Sequence, residues 1–489
     1  MLFNSLKFLI FFPVVTLVYF LIPQRVKYLW LLAASYYFYM CWNPEYAVLI
    51  AISTVITWLS GIFIDKGKTP LARKLTVAAS FTINLAILFY FKYFYFTMDN
   101  INALRALMHL DALKPRFDVI LPVGISFYTF QAFSYTVDVY RGDVEPEKNP
   151  LKYALFVSFF PQLVAGPIER SKNLLSQVNA EHHFDYNRAR CGLLVMLWGF
   201  FLKLVIADRA AIVVNTVYND MSSFTGIQLA AATVCFAVQI YCDFESYSTI
   251  AKGAARVMGF ELMDNFHQPY FSCSIAEFWR NWHISLSTWF KDYLYIPLGG
   301  NRKGSVRKYM NLMIVFLVSG LWHGASWNFV IWGAVHGMYQ VVGGLTANFR
   351  RFVCAVLDIN RDTPQYRWFQ RIITSALVTF AWIFFRSANL TQSVAVIKSI
   401  FTNFAPWSIY HGGLSAMGLD IANIAVLFAA AAVLICVSLS KNRGEITEYI
   451  EGMHVFARWP IYFGLLFSVL IFGIYGPQFS AAQFIYFQF

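Results

Sequence analysis

Apolar runs return along the whole chain, at Phe8 to Ile22, Tyr28 to Trp42, Tyr46 to Ile64, Leu75 to Phe96, Cys191 to Ala207, Ile421 to Leu439 and Ile461 to Ile474. Several approach the ~20 residues that a helix needs to cross a bilayer core. Inside hydrocarbon no water satisfies the backbone, so runs of this length admit helices and little else. Composition agrees: 58% of residues are hydrophobic and mean hydropathy is +0.53, against a soluble norm of roughly half apolar. No repeat, low-complexity tract or long linker divides the sequence. The expectation is an all-α polytopic membrane protein with one membrane domain over residues 1–489. The first run has no small-residue cleavage site and more runs follow at once, which predicts a retained span rather than a signal peptide.

The formal net charge is +12, but the basic residues fall in short connections rather than on one soluble face. That pattern argues for membrane topology and against nucleic acid. Arg25 and Lys27 separate the first two runs, and Lys66, Lys68, Arg73 and Lys74 the third and fourth, whereas Asn43-Pro44-Glu45 carries no positive charge. The N-terminus is therefore expected outside the cytoplasm, the loop of Arg302, Lys303, Arg307 and Lys308 inside, Lys441 to Arg443 inside, and the C-terminal tail outside. The seven cysteines are scattered without a CxxC or other ligand spacing, so neither a metal site nor a disulfide framework is expected.

Between these runs the sequence changes character. Met98 to Asp118 reads as an outer connection. Leu121 to Tyr140 scatters Ser, Thr and Gln among aromatics and should face protein or a cavity, not lipid. Leu151 to Leu163 is short, and the prolines at Pro161 and Pro167 suggest either a re-entrant helix or a surface helix at the interface. His182 and His183 lie in a polar loop with no third ligand at useful spacing. Asp243 and Glu245 come near membrane depth, where carboxylates pair with a buried cation, line a wet passage or cap a helix at the interface.

Glu277 to Tyr339 places His283, His323 and His336 in apolar, aromatic surroundings. In the run from Met313 to Met338, His323 loses water with no obvious partner nearby in the sequence, a cost that marks a functional position. Gly320, Gly324 and Ala325 let a neighbouring helix approach and leave room beside the ring. His336 sits on the same helix or its successor, in a supporting role. From Phe278 to Pro297 rings alternate with Arg280, Asn281, His283, Ser285, Ser287, Lys291 and Asp292, which predicts an in-plane helix or one buried against the spans. The basic loop that follows could draw in a phosphorylated donor such as coenzyme A. The chemistry that fits is acyl transfer: a neutral imidazole takes the proton of a hydroxyl as it attacks a thioester, and a second polar residue orients the carbonyl. There is no GxSxG elbow and no phosphate-cradling loop.

FWRNWHISLSTWFKDYLYIPLGGNR followed by SGLWHGASWNFVIWGAVHG resembles the membrane-bound O-acyltransferase (MBOAT) family, in its bacterial alginate O-acetyltransferase-like branch. LPVGISFYTFQAFSYTVDVYRG, FPQLVAGPIER and YCDF extend the likeness over about Leu121 to Tyr339. The resemblance implies a ring of transmembrane helices, with re-entrant or in-plane helices around a central tunnel, and a catalytic core at about 119–345. It makes His323 the catalytic histidine and His283 its polar companion. It implies acetyl-CoA as a donor substrate with no permanently bound cofactor, residence in the bacterial cytoplasmic membrane, and an extracytoplasmic polysaccharide or peptidoglycan acceptor. It also implies an SGNH-hydrolase-like extracytoplasmic acyltransferase as partner. Glu245-Ser246 departs from the family's usual Ser-Gly after the DF pair, so Asp243 and its neighbours receive no catalytic role here.

The chain ends in QFIYFQF, and its residues 484–489 are similar to the C-terminal motif of the small single-span protein of teichoic acid D-alanylation, whose acyltransferase belongs to the same family. That likeness makes Tyr486 an acyl carrier between His323 and the partner; an interfacial aromatic belt is the alternative. The predicted function is transfer of acetyl across the membrane for polysaccharide O-acetylation. Its rivals are D-alanyl transfer to teichoic acid and a non-enzymatic transporter or flippase, which would carry an internal repeat with interrupted helices.

Overall fold

A computed structural model describes residues 1–114, 121–410, 412–439 and 446–475. Lys441 to Arg443, expected on the cytoplasmic side, lie outside them. Among the described residues every regular element is helical. Seven helical runs are long and apolar enough to cross a membrane: Tyr46–Lys66, Pro70–Leu107, Tyr186–Asn219, Gly226–Met258, Pro364–Arg386, Ile421–Leu439 and Val455–Phe472. The all-α polytopic reading holds. Leu6–Leu21 and Gln24–Met40 have 16 and 17 residues, a rise of about 24–26 Å, somewhat short of the ~30 Å hydrocarbon core.

The described residues fall into two units, Met1–Met196 with Ile250–Met263, and Leu197–Thr249 with the described residues from Asp264 onward. In the first, the Ile125–Arg141 helix is buried continuously from Ile125 to Thr136, polar side chains included, as its scattered polarity predicts. The Pro150–Ser158 helix has nine residues, about 14 Å, and turns back through Phe159 to Gly166, all buried. Gln131 and Gln162 both donate to the Phe156 carbonyl that this helix end leaves open, at 2.6 and 3.0 Å. The end of this short helix is thus capped by protein side chains rather than by solvent.

Two expectations change here. The first part of the expected connection, Met98 to Leu107, is helical: Pro70–Leu88 passes through a π turn, Phe89–Tyr93, into a helix reaching Leu107, while residues 115–118 lie outside the described residues. Asn102 ties the residues after that helix back to it, its Nδ2 donating to the Leu113 carbonyl at 3.0 Å. His182 and His183 also part company. His183 is exposed, whereas the His182 ring packs 4.3 Å from Phe260 with Nε2 2.7 Å from the Gln177 carbonyl.

In the second unit the run expected to be an uninterrupted span opens at another π turn, Leu202–Ala207. The turn puts Lys203 inside, its Nζ 2.6 Å from Asp243 and 2.8 Å from Asp208, all three buried. It also releases carbonyls. Leu204 accepts from the Ile474 N–H at 3.0 Å, and Val205 accepts from Arg209, whose other nitrogen reaches the Phe472 carbonyl at 2.8 Å.

Candidate active site

Met313 to Met338 reads as one apolar run but folds as a helical hairpin, Gly304–His323 and Trp327–Leu345, joined at Gly324 to Ser326. Glycines set the spacing of its arms. A Cβ on Gly320 would lie 2.2 Å from the Phe329 carbonyl oxygen, and one on Gly333 would lie 2.3 Å from that of Phe316. Backbone therefore meets backbone, the small-residue packing by which membrane helices approach. His323 closes the first arm, and His336 lies on its successor. Neither arm is among the seven apolar runs.

The Phe278 to Pro297 stretch is likewise broken, into Ile275–Asn281, Ile284–Phe290 and a π turn at Lys291–Tyr295. The break falls on His283, which sits at φ +44° in the left-handed region, a conformation that costs a residue with a Cβ and clusters at functional sites. Asn265 holds it there. Its carbonyl accepts from the Ile284 N–H at 2.8 Å, its Oδ1 accepts from the Ser285 hydroxyl at 2.6 Å, and its Nδ2 donates to Ser248 at 2.9 Å.

These two breaks bring the two predicted histidines together. The rings of His283 and His323 stand 6.4 Å apart, centroid to centroid. His283 is 0% exposed and lies edge-on to Phe244 at 4.6 Å; His323 is 5% exposed and edge-on to Trp322, Trp332 and Phe385 at 5.0, 5.0 and 5.4 Å. His283 stands in a turn outside the seven apolar spans. Burial pushes its imidazole down to about 3, so it stays neutral at any physiological pH. His336 is placed behind them, its Nδ1 accepting from the Trp279 indole at 3.1 Å, which fits the supporting role expected of it. Tyr486 lies outside the described residues.

Trp279 is also a wall of a cavity of about 1330 Å³ within this unit, whose largely apolar lining includes the cations Arg280, Lys291, Lys308 and Arg350 and, among the described residues, no carboxylate. Ser319 carries that lining onto the His323 helix, one turn before the histidine. Sequence reasoning missed Asn265, which sits in a short polar stretch between helices, and Lys203, a single cation in an apolar run. Asp243 takes the paired-cation option, and Glu245 is buried beside it in sequence.

Residues 87–384, more than half of the chain, match the membrane-bound O-acyltransferase family. The protein belongs to that family. Among relatives of this O-acyltransferase, a probable alginate O-acetylase of Pseudomonas putida is 38% identical over 440 residues, covering 88% of this chain and 87% of the relative. A peptidoglycan O-acetyltransferase of Helicobacter pylori is 34% identical over 433 residues, covering 82% and 80%. A teichoic acid D-alanyltransferase of Bacillus subtilis is 26% identical over 300 residues, covering 57% and 71%. Both breaks, at His283 and after His323, lie inside the matched region. The enzyme class separates the chain from the transporter alternative.

Proposed function

We propose that this O-acyltransferase takes acetyl from cytoplasmic acetyl-CoA and delivers it for O-acetylation of an extracytoplasmic polysaccharide, an exopolysaccharide or peptidoglycan. The observation that carries the reading is the meeting of His283 and His323 in a buried aromatic box. In it His323 is the general base: it takes the proton as a hydroxyl oxygen attacks the thioester carbonyl carbon, the C–S bond breaks, and the proton passes on to the departing thiolate. His283 orients or assists from the neighbouring turn. The cation-lined cavity supports a polyanionic donor such as coenzyme A, because four cations without a carboxylate favour phosphates. The alginate and peptidoglycan relatives support the acetyl group and the class of acceptor. Removing the base by His323→Ala should lower acetyl transfer in membranes by roughly 10²–10⁴-fold at unchanged expression. Retained transfer would exclude the assigned role.

Tyr486 is the proposed acyl carrier: its phenol would receive acetyl from the donor and pass it to an SGNH-hydrolase-like acyltransferase outside the bacterial cytoplasmic membrane. A phenyl ester is more activated than an alkyl ester, so the second transfer runs downhill. Tyr486→Phe keeps the aromatic anchor and removes the oxygen. The expected result is loss of O-acetyl esters from the polymer; unchanged esterification sinks the relay.

A further inference from the structure

Ion pairs at membrane depth are a weak source of stability, since well-packed apolar residues of the same volume often do as well. Lys203 and Asp243 keep one all the same, at 2.6 Å, with Asp208 as the second carboxylate. What the pair does fix is rotation and register. Lys203 reaches Asp243 through the π turn at Leu202–Ala207, and Asp243 lies on the Gly226–Met258 helix. One residue on, Phe244 presents its ring to His283 at 4.6 Å and an interplanar angle of 81°. One turn further on the same helical face, Ser248 accepts from Asn265, which in turn accepts from the Ser285 hydroxyl and the Ile284 N–H. Two contacts from one helix face thus bear on the left-handed turn at His283.

We propose that the Lys203–Asp243 pair is a positioning element for His283: it locks the rotation of the Gly226–Met258 helix so that Phe244 and Ser248 hold the strained His283 turn against His323. The pair touches no reacting atom and acts through Phe244, Ser248 and Asn265. This rests on the acyl-transfer reading above. Its failure is distinguishable from that of the reading.

The test uses the full chain in native membranes, with radiolabelled acetyl-CoA as donor and the cell-envelope fraction as acceptor. Asp243→Asn preserves shape and removes the charge that ties Lys203 to the Gly226–Met258 helix, while Asp208 still neutralises the lysine. It should lower turnover at least about tenfold while KM for acetyl-CoA stays within about twofold, the pattern of a lost transition-state alignment. Asp243→Glu restores the charge and should return turnover to within about threefold of the parent. Phe244→Leu leaves the ion pair whole and removes only the ring beside His283; it should show the same split, and it decides the matter if Asp243→Asn does not accumulate. Turnover of Asp243→Asn and Phe244→Leu within about twofold of the parent overturns the proposal, as does a loss that Asp243→Glu fails to rescue. Absence of any His323-dependent transfer in the parent protein overturns the acyl-transfer reading together with it.

Discussion

His283 at φ +44° is a residue whose conformation has to be held by something else, and Asn265 is what holds it. Replacing Asn265 by Ala leaves the buried Ser285 hydroxyl without its acceptor, a loss worth roughly 1–3 kcal/mol. Asn265→Ala should therefore reduce acetyl transfer tenfold or more in the same membrane assay, with the protein still present at normal level. Activity equal to the parent's would remove Asn265 from the site. The contrast between these two residues shows what the sequence makes legible. His283 and His323 stand out because an imidazole in an aromatic, apolar stretch is costly and so conspicuous. Asn265 sits in a short polar stretch between two helices, where an asparagine is commonplace, and only the fold turns its side chain inward. Lys203 hides for a different reason: a single lysine in an apolar run is expected to snorkel to the interface, and nothing local announces the π turn that swings it inward.

Elements were legible in proportion to their apolar length. Tyr46–Lys66 and Ile421–Leu439 lie close to where hydropathy puts them, and Val455–Phe472 starts six residues before the expected Ile461. Breaks were not, because a hairpin of two helices and one long span share the same composition; the helix that Gly320 lets approach is the next arm of the same hairpin, reached by the reversal at Gly324 to Ser326. The hairpin depends on that closeness. Gly320→Ala forces a Cβ to within 2.2 Å of the Phe329 carbonyl oxygen, an overpacking that should cost roughly 1–3 kcal/mol and lower the thermal midpoint of the purified protein. A Cβ on Gly343, on the second arm, would meet nothing within 4 Å. Gly343→Ala should hold or raise the midpoint, since alanine gains roughly 0.5–1 kcal/mol over glycine inside a helix. Equal midpoints for the two variants would mean that the arms do not pack as described.

At the scale of the molecule, charge asymmetry predicts an orientation for the chain, and labelling tests it directly. Lys303 is exposed at the start of the His323 helix. Lys303→Cys, in a background lacking the exposed Cys436, should resist a membrane-impermeant maleimide on intact cells and react once the cells are permeabilised. Labelling of intact cells would overturn the predicted orientation. The π turn at Leu202–Ala207 has a last consequence, for how freely this protein can drift. The chain beyond the Val455–Phe472 helix is fastened through peptide groups, Ile474 N–H to the Leu204 carbonyl and the Phe472 carbonyl to Arg209. Such a seat is blind to side chains: nearly any residue at 474 satisfies it, and proline, with no N–H to give, is the one that cannot. The Val455–Phe472 helix can thus change its outward-facing sequence over evolutionary time while Ile474 keeps its seat on Leu204.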